Sequence, residues 1–443
     1  MPEWAKRFPK AAFPTIPPDV LQEATWSMLA KPVQALMYHG WGTIVETHNE
    51  SYYCFTNPES TDRLRDLLKG LVAPLGPVLK RLGRETPPVA VLESFTTCAM
   101  GGPASWGWSA PSITCLQRAR LDPRVVYEET LVRDGFAGIK VLYAPQCRFM
   151  TPSMIERIKS FQKSGGILIA DDQLVSALKP DVLVPLMSFE APPESDHTED
   201  VDAQEKAKAK ALKTRNATVR AKTIMQAASD EIRAKLAAKG YRPAADSSSS
   251  EIVTYSRRWE STPYLFAIND ARTFGNYVGP WGRVMEKGVP TEGWVSLADP
   301  QNRIGAVYEL SRGEAYAFTR EGGNVKVPVK FGTNDGRMFV FLPSKIESVK
   351  VDAPSVVTRG GRLEVSMTVA DGKGNAVPAL LPVEVRLFDS AGREIDGGGY
   401  VCAEGGVAKV SFITNVDDAD GTYRLVCRDR ASGISVEKTI GSR

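Results

Sequence analysis

Five short runs between residues 89 and 270 limit the fold most strongly: VAVLES (89–94), RVVYEE (124–129), IKVLYAP (139–145), GILIAD (166–171) and YLFAIND (264–270). They are rich in Val, Ile and Leu, and most are apolar on both faces. A strand of that kind must be covered on both sides, as parallel strands of α/β layers are. Between the third and fourth runs, TPSMIERIKSFQKSGG (151–166) reads as a helix. Thr151 is its N-cap, Pro152 takes the first helical position, and Gly165 or Gly166 follows its end. The pattern predicts an open, doubly wound parallel sheet of flavodoxin type over residues 86–270. An alanine-rich helical insertion at about 190–245, ending near Gly240, precedes the last of the five runs.

The flanking regions follow other rules. In residues 1–85, PPDVLQEATWSMLA (17–30) has helical spacing, with Asp19 as a fair N-cap. VQALMYHGW (33–41) reads as a buried strand, and TDRLRDLLKGLVAPLGPVLKRL (61–82) as a helix up to Pro74 with an apolar face of Leu64, Leu67, Leu68, Leu71 and Val72. Helix, parallel strand, helix is the grammar of the last part of a βα-barrel. Residues 271–345 carry short strands between Gly, Asn and Asp turns, a small antiparallel β-domain. Residues 346–443 alternate in and out at regular spacing, the pattern of an immunoglobulin-like β-sandwich. The fold class expected is therefore α/β plus all-β.

Composition removes several functions. With 55 basic and 52 acidic residues the formal charge is only +3, against the basic excess of a dedicated nucleic-acid binder. The basic stretch 206–222 has no interleaved aromatics and reads as a solvated helix face. There is no apolar run long enough for a membrane span and no apolar core of a signal peptide at the start; the compartment is left open. Cys54, Cys98, Cys115, Cys147, Cys402 and Cys427 form no C-x-x-C pair, and His39, His48 and His197 no H-x-x-x-H pair. No metal site and no cofactor are expected. Whether Cys402 and Cys427 pair is open.

Three groups of residues are candidates for chemistry. Cys98 lies in TTCAMGG (96–102), just past the first sheet strand, but no histidine is placed to activate it, and it reads as a packing residue. The turn after GILIAD, where a thiol nucleophile would sit, carries Asp171 and Asp172. Glu93, Glu128, Glu129, Asp171 and Asp270 fall at carboxyl ends of the predicted strands, where open α/β sheets bind ligands. Such an acidic cleft could hold a general acid–base pair, or its carboxylates could cap the following helices. Trp41, with Tyr38 and His39, sits at the end of the predicted barrel strand, placed to stack on a sugar ring. WGW (106–108) and YVGPWG (277–282) are further aromatic–glycine loops.

The order of parts resembles the C-terminal half of a β-galactosidase-type glycoside hydrolase. QEATWSMLAKPVQALMYHGW looks like the last helix–strand unit of its (β/α)8 barrel. IKVLYAPQCRFMTPSMIERIKSFQKSGGILIADDQL looks like its class I amidotransferase-like middle domain, which has lost the nucleophile and serves oligomer contacts. YLFAINDARTFGNYVGPWGRVMEKG looks like the start of the β-domain that follows. The resemblance implies Trp41 as the tryptophan closing the sugar site. It also implies that the two barrel carboxylates of a retaining mechanism lie upstream of this chain; Glu3 has no strand to position it. The expected function is a non-catalytic portion or subunit of a carbohydrate-active hydrolase. Its partners would be carbohydrate, the missing N-terminal barrel portion and further copies of itself. An independent hydrolase using the acidic cleft, or an adhesion and assembly protein, are the alternatives.

Overall fold

The computed structural model describes residues 18–38, 58–83, 86–101, 109–185, 223–278 and 284–443. The chain divides into two compact units. One draws on Glu85–Thr254 and Asn269–Gly293, the other on Ile16–Arg84, Tyr255–Ile268 and Trp294–Arg443.

The N-terminal helices belong to the second unit. Helix α1 is Pro18–Leu29 and α2 is Pro58–Leu67. A π turn, Leu68–Val72, joins α2 to α3, Ala73–Leu79. The helix was expected to stop at Pro74, yet it continues. Proline lacks an N–H, and its ring strikes the carbonyl four residues back. The extra residue of the π turn relieves this: the N–H of Ala73 reaches back to the carbonyl of Leu68. Two expectations fail here. Residues 33–38 form no strand, and Met37 is 83% exposed. Residues 33–38 are half-buried or exposed, so water can meet their backbone groups and no strand partner is required. Of the apolar face, which a barrel would cover with its strands, Leu64, Leu67 and Leu71 are buried without any barrel, and only Leu68 is exposed. Helix α2 packs on α1, and α3 packs on the sandwich strands Leu381–Phe388 and Glu394–Ala403.

The parallel sheet is the centre of the first unit. Its strands are β1 (Val89–Glu93), β2 (Pro123–Tyr127), β3 (Val141–Ala144), β4 (Ile167–Ala170) and β5 (Val182–Leu183), in the order β2-β1-β3-β4-β5. Every pairing is parallel, with Val91 opposite both Val125 and Tyr143. Because side chains alternate across a strand, the two faces have separate cores. Val89, Val91, Tyr143 and Ile169 pack with Cys115 and Leu116 of helix α5 (Ser109–Arg118) and with Met225, Ala228, Ile232 and Leu236 of a helix over 223–238. Ala90, Leu92, Leu142 and Leu168 pack on the other side with Leu131, Met154, Ile158 and Phe161. Leu131 lies on α6 (Glu128–Asp134) and the last three on α7 (Pro152–Lys163). Thr151 caps α7 as its sequence predicts, accepting the N–H of Met154 at 3.3 Å. The described part of the insertion thus covers the sheet. A short helix α4, Phe95–Gly101, follows β1.

YLFAIND is not the fifth parallel strand. Thr262–Asn269 runs antiparallel to Gly336–Leu342, with Phe266 opposite Met338. Its double-sided burial comes from an interior place in a five-stranded antiparallel sheet, and a run of apolar residues cannot tell that place from a parallel one. The fifth place in the parallel sheet goes to the two residues of β5.

From Ile346 on, two sheets form. One holds Ile346–Asp352, Arg362–Asp371 and Val407–Ile413. The other holds Val356–Val357, Ser435–Ser442, Thr422–Asp429, Leu381–Phe388 and Glu394–Ala403. Leu363, Val365, Met367 and Val369 alternate inward on one strand, and Tyr423, Leu425 and Cys427 on another. Cys402 and Cys427 are buried and both are free thiols.

Candidate functional site

The carboxyl edge of the parallel sheet gathers two of the predicted acidic residues, Glu128 and Asp171, near two thiols. Glu128 opens α6 and is buried. Its carboxylate accepts Ser94 Oγ at 2.8 Å, Thr96 Oγ1 at 2.6 Å and the Thr96 N–H at 3.3 Å. Ser94 follows β1 and Thr96 lies in the first turn of α4, so Glu128 ties the first turn of α4 to the end of β2. Thr97 ties the same turn to the loop after β3: its hydroxyl donates to the Phe149 carbonyl at 2.8 Å and lies 3.2 Å from the Phe149 N–H. Asp171, one residue past β4, is 1% exposed. One of its oxygens accepts the N–H of Gln146 at 2.8 Å, the other that of Gln173 at 3.0 Å. Gln146 has φ of 50°, a left-handed turn residue that aims its N–H at the carboxylate.

Each buried carboxylate is therefore an acceptor holding loops in place. Burial raises the pKa of Asp171, and its two N–H partners and Arg148 only partly oppose this. A carboxyl whose folded pKa lies above its ordinary value favours the fold when protonated. That contribution is full below the ordinary carboxylate range and is lost as pH rises through the elevated value. Asp171→Asn can offer only one acceptor oxygen to two N–H donors. It is expected to cost about 1–3 kcal/mol, with a larger deficit near pH 4 than at pH 7. Urea unfolding at both values measures this; a variant as stable as the wild type at both would remove the clamp role.

The thiols are quiet. Cys98 is half-buried on α4, and burial, then the carboxylates of Glu93 and Glu128, push its pKa up. Cys147 is fully buried; burial first, then Glu128, Asp171 and Cys98, raise its pKa well above that of a free thiol. A nucleophilic cysteine needs the opposite environment, with a cation or a helix N-terminus favouring thiolate. Cys98 is expected to alkylate with iodoacetamide at pH 8 more slowly than an unstructured cysteine peptide. Peptide mass mapping reads the rate, and reaction faster than the peptide would contradict this electrostatic picture.

The remaining predicted residues disperse. Glu93 ends β1 and is half-buried; Glu129 and Asp172 are exposed, with Asp172 accepting Gln173 Nε2 at 3.2 Å. Asp270 follows an antiparallel strand rather than a strand of the parallel sheet, and pairs with Arg272 at 2.9 Å. Tyr38 is half-buried, its hydroxyl 3.1 Å from Thr25 Oγ1 of α1. Trp41 and His39 lie outside the described residues, as do WGW (106–108), most of the YVGPWG loop and the basic stretch 206–222. Sequence reasoning missed Ser94, Thr96, Thr97 and Gln146. Their only signal was three hydroxyl residues directly after a buried strand, a common loop composition.

At the opposite edge of the sheet, an open cavity of about 430 Å³ is lined by Lys140, Lys239, Tyr241 and Arg242. Lys239 pairs with Asp181 at 3.1 Å, and Arg242 donates to the carbonyls of Ala237 and Tyr241. The lysine and the arginine thus complement the end of the helix over 223–238. Among the described residues no cluster of three or more His, Cys, Asp or Glu could hold a metal ion. Among the same residues no helix is long and apolar enough to cross a membrane.

No protein-family model matches the chain, and no curated protein matches it. Among solved structures it is similar to glycoside hydrolases. The α-L-fucosidase isoenzyme 2 of Paenibacillus thiaminolyticus is 13% identical with a TM-score of 0.45, over 73% of this chain and 57% of that one. A β-galactosidase of glycoside hydrolase family 42 from G. stearothermophilus is 12% identical with a TM-score of 0.42, over 74% of this chain and 51% of that one. The family 42 exo-carrageenase of Bacteroides ovatus is 10% identical with a TM-score of 0.42, over 74% of this chain and 39% of that one. The chain spans less than two thirds of each.

Proposed function

We propose that this chain is a non-catalytic, C-terminal portion or subunit of a β-galactosidase-like glycoside hydrolase. It serves assembly, including contacts between copies of itself, and support of a sugar site whose catalytic carboxylates come from elsewhere. On this reading the β2-β1-β3-β4-β5 sheet is a flavodoxin-like, class I amidotransferase-like domain, and the terminal sandwich is immunoglobulin-like. One observation carries the non-catalytic reading: the carboxyl edge, where such a sheet would hold its chemistry, has its buried carboxylates occupied by Ser94, Thr96, Gln146 and Gln173. A general acid or base must face a substrate proton, and both Glu128 and Asp171 face their own loops.

The test is turnover of nitrophenyl galactosides by the purified chain, alongside Asp171→Asn and Glu128→Gln. No hydrolysis above the uncatalysed rate is expected from any of them. Hydrolysis by the wild type that either substitution abolishes, in a variant that still folds, would replace this proposal with an independent acidic-cleft hydrolase.

A further inference from the structure

We draw no further inference here: the strongest candidate, the exposed apolar patch of Phe95, Met100, Tyr127 and Phe149 at the carboxyl edge of the parallel sheet, is an unpartnered face, and nothing in the structure shows what covers it.

Discussion

Replacing Arg257 by leucine is expected to destabilise the second unit by about 3–5 kcal/mol, because it leaves several buried carbonyls without a donor. Arg257 is only 4% exposed. Its guanidinium donates to the carbonyls of Leu79, Leu82, Gly83 and Lys31. Leu79 ends α3, whose last carbonyls have no partner inside the helix. Leu82 and Gly83 lie in the turn that follows, and Gly83 forms an isolated bridge with Arg258. One side chain thus ties the end of the N-terminal helical segment to the strand Ile252–Trp259 through backbone acceptors alone.

The arrangement is costly to the arginine itself. Burial lowers its pKa from the ordinary value to about 10. A base with a depressed folded pKa gives stability that is present above its unfolded pKa and lost as pH falls through the folded one. That window lies above about pH 10, so the charge penalty is constant from pH 5 to 9. The deficit of Arg257→Leu should accordingly be the same at pH 5 and pH 9. Arg257→Lys, which keeps the charge but loses the planar fork, should recover only part of the loss. Urea unfolding at the two pH values distinguishes these outcomes. A leucine variant within about 0.5 kcal/mol of the wild type, the range of ordinary surface changes, would rule out the clamp.

Trp26→Ala should be similarly severe, at about 3–5 kcal/mol for a truncated core aromatic. Trp26 is 4% exposed on α1 and lies directly over Gly336, the first residue of the central strand Gly336–Leu342. A Cβ built at Gly336 would come within 2.3 Å of the indole, so the glycine is there to let the ring approach the backbone. Gly336→Ala alone is expected to cost about 1–3 kcal/mol by overpacking. The two changes share one contact and should not add. Once the indole is gone, the alanine methyl no longer meets it, and the double variant should be little worse than Trp26→Ala. Hydrogen exchange would locate the effect, with protection falling first in residues 18–29. Strict additivity of the two substitutions would show that Trp26 and Gly336 do not meet in solution.

The two predictions fall where sequence reading was weakest. The α1 helix is legible in the helical spacing of residues 17–30, but its target is not. The spacing of Leu64, Leu67 and Leu71 correctly marked an apolar stripe, and was read as one side of an incomplete barrel. The stripe is buried within its own unit, and α3 continues past Pro74 onto sandwich strands hundreds of residues later in the chain. The acidic residues show the same limit. Glu128 and Asp171 were picked out by position at strand ends, and both do lie at the carboxyl edge of the parallel sheet. Their partners, Ser94, Thr96 and the N–H groups of Gln146 and Gln173, turn a possible acid–base pair into two loop clamps. Those partners depend on how three loops meet, which no local pattern records.

By itself the sequence determined the local states. Four short runs rich in Val, Ile and Leu read as strands and became β1 to β4; β1, β3 and β4 are covered, and β2 is a half-exposed edge. Thr151 and Pro152 could only start a helix, and the alternation after Ile346 could only make half-buried strands. Periodicity counts the faces of an element that must leave water, and proline, glycine and capping residues mark where it stops. Tertiary structure decided the pairings: YLFAIND went to an antiparallel sheet, two residues at Val182–Leu183 completed the parallel one, and Arg257 found the carbonyls after α3. Burial free energy depends on area and hardly on the identity of the covering surface. The choice among equally apolar partners is therefore made by close fits and buried hydrogen bonds between distant segments, such as an indole on a glycine or a guanidinium on a helix end.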